Sequence, residues 1–314
     1  MTISVVIGII RNENDEVFIS RRASKLHQGD LWEFAGGKVE HGESLKAALS
    51  RELREEIGID VISATPLIAF EHDYGDKKVQ LHVFEITEFS GTAESKLGQE
   101  SLWVKPEDLK NYAFPAANRG ILSALQLPPY YAILNDDNDD LLAALNQLFE
   151  QGITLIQARL KNMTAQQVRN FLAVAYPLCQ ATGATLLVNS GIIQAFEMQS
   201  DGVHLTSFDL LKMTHRPNHI RWLSASCHNL TELKQAEKIG VDFAMLSPVL
   251  PTQTHPELEA IGWTLFSEWV AECNMPIYAL GGLEKANLQT VKLAGGHGVA
   301  GIRMFQTVKP VLSH

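Results

Sequence analysis

Three carboxylates, Glu52, Glu55 and Glu56, stand at i, i+3 and i+4, a spacing that puts them on neighbouring positions of one helix face. Leu45, Leu49, Leu53 and Ile57 recur at helical spacing beside them and form an apolar stripe that packs on a core. The acidic edge then lies at the boundary between core and solvent. Like charges this close destabilise one another unless something positive sits among them. A hard, oxygen-seeking divalent cation meets that need, with Mg2+, or Mn2+ in its place, as the natural candidate. From three glutamates alone, a solvated acidic face reads equally well.

The flanking residues define the element that must carry this chemistry. Gly36-Gly37 predicts a turn in which a backbone carbonyl can face a metal, making Gly37 a further candidate ligand. Ser44 is placed to cap the helix, Glu43 sits at its positive end, and Gly58 stops it. Arg51, four residues before Glu55, can pair with it and orient the acidic face. Upstream, ISVVIGII (3–10) reads as a buried strand and EVFISR (16–21) as its return, together a hairpin. Arg21-Arg22 closes that second strand, where a triphosphate needs its charge neutralised, so Arg22 is a candidate phosphate ligand. Strands follow at 66–72, 78–86 and 101–104, giving a mixed sheet with one catalytic helix.

With 314 residues and 46% hydrophobic composition, the chain has enough material for two folded cores. A net charge of −10 argues against a surface for duplex nucleic acid, but leaves small phosphorylated substrates open. Cys179, Cys227 and Cys273 are odd in number and far apart, which fits buried thiols in a reducing compartment better than a disulfide framework. No basic segment followed by an apolar run opens the sequence, and no stretch reaches the ~18 apolar residues of a membrane span. The expectation is a cytoplasmic protein with no membrane partner. Pro128-Pro129 predicts a stiff, extended linker between domains at 1–126 and 130–314.

Gly37, Glu43 and the run Arg51-Glu52-Leu53-Arg54-Glu55-Glu56-Ile57-Gly58-Ile59 resemble the Nudix box at each of its fixed positions. From Val6 to Ile121 the chain looks like MutT-type Nudix hydrolases, through GIIRNENDEVFISRR, WEFAGGKVEHGES, RELREEIGI and FPAANRGI. The resemblance implies an α/β/α sandwich and hydrolysis of 8-oxo-dGTP, a small nucleoside triphosphate, to the monophosphate and pyrophosphate. Glu52, Glu55 and Glu56 would serve catalysis and, with the Gly37 carbonyl, hold the metal. Asn118 matches the family's asparagine that reads the oxidised guanine, and Phe34 would wall the base; an amide offers the donor and acceptors a purine edge requires. The family's further loop glutamate falls here on Leu97, which cannot bind metal, so Glu100 is the expected substitute and Glu94 a weaker one.

Beyond residue 129, strand-like runs (YYAIL, TLIQAR, TLLVN, DGVHL, IRWLSAS, FAMLSPV, PIYAL, GVAGIRMF) alternate with amphipathic stretches at 139–151, 164–182, 230–239 and 284–293. Eight such strands predict a TIM-type (β/α)8 barrel, so the chain as a whole is α/β. Gln157, Arg159 and Lys161, with Asp201-Gly-Val-His-Leu, Asp209, Ser226, Thr252, Thr254 and Gly281-Gly282, resemble thiamine-phosphate synthase and the related thiazole tautomerase. That resemblance implies a site for pyrophosphate and phosphate that also includes Asn189. Departures are plain: Ser190 stands where the synthase usually has a metal-binding aspartate, His255 replaces a lysine, and Arg303 replaces a small residue. The expected function is a nucleotide-pool sanitising pyrophosphohydrolase with a degenerate synthase-like barrel. Two alternatives stay open: a bifunctional thiamine-pathway protein whose Nudix half hydrolyses a related pyrophosphate, and a barrel that only binds a phosphorylated ligand.

Overall fold

The computed structural model describes residues 2–25, 28–73, 75, 78–137, 140–252 and 259–306. The chain divides into two compact units, Met1–Gln126 with Val270–Pro276, and Leu127–Trp269 with Ile277–His314.

The first unit contains β1 (Thr2–Ile10), β2 (Val17–Arg21), β3 (Trp32–Glu33), β4 (Gly36–Lys38), α1 (Leu45–Ile57), β5 (Ile59–Asp73), β6 (Lys78–Gly91), β7 (Ser101–Val104) and α2 (Arg119–Ala124). A mixed sheet in the order β4-β1-β6-β5 holds β1 parallel to β6 and antiparallel to β4, and a second sheet runs β3-β2-β7. Side chains alternate along β1. Val6 and Ile10 face Leu49, Leu53 and Ile57 of α1, while Ile7 and Ile9 join a second core with Ile121 of α2 and Leu125. The sheet is thereby sandwiched between helices, the α/β/α arrangement expected.

The predicted β1–β2 hairpin does not form. Asn12 Oδ1 accepts the Asn14 and Glu16 N–H groups to make the turn, but a single bridge, Arg11 to Val17, joins the two chains. Both edges of β1 are already taken by β4 and β6, so β2 leaves for the second sheet.

α1 is set by its caps as well as its stripe. Ser44 Oγ accepts the Ala47 N–H at 3.2 Å, and Gly58 ends the helix at φ 74°. Ala48, Leu49, Leu53 and Ile57 are buried, and full burial of a Leu or Ile side chain contributes about 1.5–3 kcal/mol. The helix is therefore pinned by its apolar side, and its carboxylates are free to face the opposite edge.

The second unit is a closed, wholly parallel barrel of β8 (Tyr130–Asn135), β9 (Leu155–Arg159), β10 (Thr185–Asn189), β11 (Gly202–Leu205), β12 (Trp222–Cys227), β13 (Phe243–Leu246), β14 (Ile277–Ala279) and β15 (Gly298–Gly301). Around it run α3 (Leu141–Glu150), α4 (Ala165–Thr182), α5 (Ser207–Lys212), α6 (Leu230–Ile239), α7 (Gly262–Ala271) and α8 (Leu288–Leu293). Aromatic side chains fill the interior: Tyr131, Phe243 and Tyr278 pack edge-on or tilted with centroids 5.5–5.6 Å apart. The stretch expected as a spacer is anchored to the barrel. Pro128 O accepts the Tyr278 hydroxyl, Pro129 O accepts the Val299 N–H, and Leu127 O lies 3.0 Å from His297 Nε2. All three cysteines are buried.

Candidate functional site

The acidic edge of α1 faces the β3–β4 turn. Gly37 approaches the Glu52 carboxyl so closely that a Cβ at that position would lie 2.3 Å from Glu52 Cδ. Glu56 turns inward, and its Oε2 accepts the Gly36 N–H at 2.9 Å. Burial pushes the Glu56 carboxyl up from 4.5 to about 7; the Gly36 N–H opposes this, the charges of Glu33 and Glu52 add to it, and Arg22 acts against it. Glu55 is 63% exposed.

Arg51 does more than the i,i+4 rule predicts. Its guanidinium meets Glu52 Oε1 at 2.8 Å, both Glu43 oxygens at 3.0–3.1 Å and Glu55 Oε2 at 3.6 Å, and it donates to Lys38 O. This pairing holds the Glu43 carboxyl below its ordinary range and raises the Arg51 guanidinium further. Among the described residues, no three His, Cys, Asp or Glu side chains are drawn together as a metal cluster. The cationic place among the glutamates is filled by Arg51 itself. The donors are all hard oxygens beside a backbone stripped of Cβ, which fits a hard divalent cation once Glu52 exchanges its partner.

Two expected positions fall elsewhere. Glu100 extends the β7–β2 ladder through Arg21 N–H to Glu100 O, and its carboxylate, 55% exposed, pairs with Arg21 at 3.3 Å. It is not gathered with the α1 glutamates. Glu94 is 67% exposed beside Lys96. Glu33, which the sequence pattern missed, belongs to the acidic neighbourhood and pairs with Arg22 Nη1. Its only sequence signal is a charge held between Trp32 and Phe34.

Asn118 is 7% exposed. It occupies the N-cap position of α2 yet makes no capping hydrogen bond, so its amide is not consumed by the helix end. Phe34, 4% exposed, stacks on Phe114 at 5.2 Å and 23° within the core that also contains Ala117 and Ile121. The aromatic expected as a wall is thus largely a core residue.

In the barrel, a cavity of about 430 Å³ opens at the C-terminal ends of the strands, the face on which such barrels carry their sites. It gathers Gln157, Arg159, Lys161, Asn189, Thr252 and Gly281. Gln157 is 1% exposed, and neither its Oε1 nor its Nε2 has a hydrogen-bond partner. Arg159 Nη1 reaches Asn135 Oδ1 at 3.3 Å; burial and Arg159 push the Lys161 ammonium down. Asn189 Oδ1 accepts the Gly191 N–H at 3.0 Å. An adjoining cavity of about 320 Å³ is lined by Thr252, Gly281, Gly282 and Arg303. Gly281 and Gly282 adopt φ +101° and +66°, and a Cβ on Gly282 would meet Pro251 O at 2.5 Å. Thr254 lies outside the described residues.

Asp209 is engaged by hydroxyls: Ser190 Oγ and Thr206 Oγ1 both donate to its Oδ2. His204, quoted in the sequence only as part of the Asp201-Gly-Val-His-Leu run, gains a role here. It is fully buried, with Nδ1 at 2.6 Å from Ser224 Oγ and 3.2 Å from the Tyr131 hydroxyl, and Nε2 at 2.8 Å from Ser226 Oγ. Burial, then Arg159, push its imidazole down to about 3, so it is a neutral strut behind Ser226.

An acidic helix against a glycine turn in one unit, and a cavity lined by Arg159 and Lys161 at the strand ends of a barrel in the other, define a two-part α/β chain. The chain belongs to the NUDIX domain family over residues 6–124 and to the thiamine monophosphate synthase family over residues 130–305. Its first half is a Nudix pyrophosphohydrolase. Over that half it is 36% identical to the 8-oxo-dGTP diphosphatase of Escherichia coli, across 124 residues that cover 40% of this chain and 96% of the relative. It is 34% identical to the CTP pyrophosphohydrolase of the same organism, across 122 residues, 39% of this chain and 90% of the relative. Over the barrel it is 34% identical, across 187 residues, to a protein of Aquifex aeolicus that is named, provisionally, a thiamine-phosphate synthase; the match covers 58% of this chain and 99% of that one.

Proposed function

We propose that the first unit hydrolyses 8-oxo-dGTP to 8-oxo-dGMP and pyrophosphate with Mg2+ or Mn2+, in a nucleotide-pool sanitising role, and that the barrel binds a phosphorylated ligand without synthase turnover. The observation that carries the substrate reading is Asn118, an amide nine-tenths buried at a helix start that it does not cap. Its donor and acceptors suit the edge of an oxidised purine. The similarity to the E. coli 8-oxo-dGTP diphosphatase supports the same reading.

In this reading Glu52, Glu55, Glu56 and the Gly37 carbonyl hold the cation, which supplies charge neutralisation for the phosphate oxygens. Arg22 pairs with triphosphate oxygens in place of Glu33. Glu52, the carboxylate set against Gly37, orients the attacking water and takes its proton. The new bond forms between water oxygen and phosphorus; the bridging P–O bond breaks, and pyrophosphate leaves with the electron pair. Ser190, a hydroxyl where the synthase resemblance expects a metal-binding carboxylate, supports the reading without synthase turnover.

The test is kcat/KM on one preparation for 8-oxo-dGTP, dGTP, CTP and hydroxymethylpyrimidine pyrophosphate. A preference of at least about tenfold for 8-oxo-dGTP over dGTP, lost in Asn118→Ala, is expected, since the unmatched amide discriminates by roughly 1–3 kcal/mol. Preference for CTP overturns the base assignment. Preference for the pyrimidine pyrophosphate places both halves in one thiamine-related route.

A further inference from the structure

The barrel cavity carries the donors for an oxyanion but not the donors for a divalent cation. Arg159 and Lys161 bring two positive charges to it, and Gln157 and Asn189 bring amides, while no carboxylate lines it among the described residues. Two nearby carboxylates, Asp136 after β8 and Asp209 in α5, are already engaged. Asp136 accepts from the backbone N–H and the side-chain amide of Asn162. Asp209 accepts from Ser190 and Thr206, and the Ser190 oxygen in turn accepts the Thr206 N–H at 2.9 Å. Ser190 therefore serves as a hydroxyl clamp that ties the end of β10 to Thr206 and Asp209 at the start of α5. A Mg2+ ion at a phosphate is held through one or two carboxylates; the cavity wall offers none among the described residues, and Asp209 is taken by two hydroxyls, so these residues do not fit one.

Gln157 points to a ligand independently of the charges. A side-chain amide that is 99% buried with both polar atoms unpartnered is unfavourable in the empty protein, and it sits in the wall of the cavity. Lys161, exposed at the rim of the cavity that Arg159 also lines, adds a second positive charge that a bound anion compensates.

We propose that the barrel binds a phosphate- or pyrophosphate-bearing small molecule without any divalent cation, the two cations and the Gln157 amide replacing the metal. This rests on reading the barrel as a ligand-binding unit and specifies how it does so.

The experiment is calorimetric titration of the full chain with inorganic pyrophosphate, in EDTA and again in excess Mg2+ with free pyrophosphate corrected for its magnesium complex. The barrel's share is the binding lost in Arg159→Gln and, as an independent variant at the cavity mouth, in Lys161→Gln. Arg159-dependent binding in EDTA, changed less than about threefold by Mg2+, is expected, with each variant about tenfold weaker. Ser190→Asp restores a second carboxylate and is expected to make the same binding at least tenfold tighter in Mg2+ than in EDTA. Arg159-dependent binding seen only with Mg2+ overturns the proposal but leaves the barrel a binding unit. No Arg159-dependent binding in either condition overturns both.

Discussion

Glu56→Gln separates the two demands made on the acidic helix. In the folded chain the Glu56 carboxyl is raised from 4.5 to about 7. Each tenfold change in proton affinity corresponds to about 1.4 kcal/mol, so the ionised form is disfavoured by about 3 kcal/mol in the absence of a cation. The sign follows from the direction. A carboxyl raised on folding contributes stability that is complete below pH 4.5 and is lost as pH rises through about 7. Glutamine keeps an acceptor for the Gly36 N–H and never ionises. In EDTA, wild type is expected to lose about 3 kcal/mol between pH 4.5 and 8 relative to Glu56→Gln, which is the more stable protein at pH 8. Mg2+ then stabilises wild type and not the variant, and hydrolysis by the variant falls at least a hundredfold. Hydrogen exchange of α1 peptides across a urea series reads the first unit alone. A wild-type stability that does not fall with pH relative to the variant in EDTA, or a variant no more stable at pH 8, refutes the reasoning.

Other outcomes follow from particular contacts. Gly37→Ala puts a methyl 2.3 Å from Glu52 Cδ, at the free end of a flexible side chain; hydrolysis should fall at least tenfold while urea unfolding shifts by less than about 1 kcal/mol. Arg51→Gln releases Glu43 and Glu52 together, so the Mg2+ concentration for half-maximal activity should move at least tenfold, measured by titrating activity with metal. Gln157→Leu removes a buried, unpartnered amide and should raise the barrel's stability by about 1–3 kcal/mol in thermal unfolding, at the expense of pyrophosphate binding. An unchanged melting profile would mean that the amide is satisfied in solution.

The barrel was legible because its strands are short apolar runs and four of the stretches between them are amphipathic, signals carried by a few consecutive residues; α5 and α7 gave no such signal. α1 was legible for the same reason, down to Ser44 and Gly58. The β1–β2 pairing was not, because the competition for the edges of β1 is decided by β4 and by β6, about seventy residues away. Local spacing gave Arg51 its contact with Glu55 but not the closer one with Glu43, which lies outside the helix. Glu33 sits on a two-residue strand, too short to show a period. At Ser190 the residue type revealed the missing carboxylate; that its hydroxyl would clamp Asp209 depended on bringing β10 beside α5.

The Arg51 bridge has a bearing on when the cation arrives. Because the counter-charge for Glu43, Glu52 and Glu55 is part of the chain, the helix can be synthesised and packed with no ion at hand. On the proposed metal dependence, loading would be an exchange of one positive group for another. A chain made without the ion is then expected to be folded but inactive, and to gain activity on adding Mg2+ with no refolding step between.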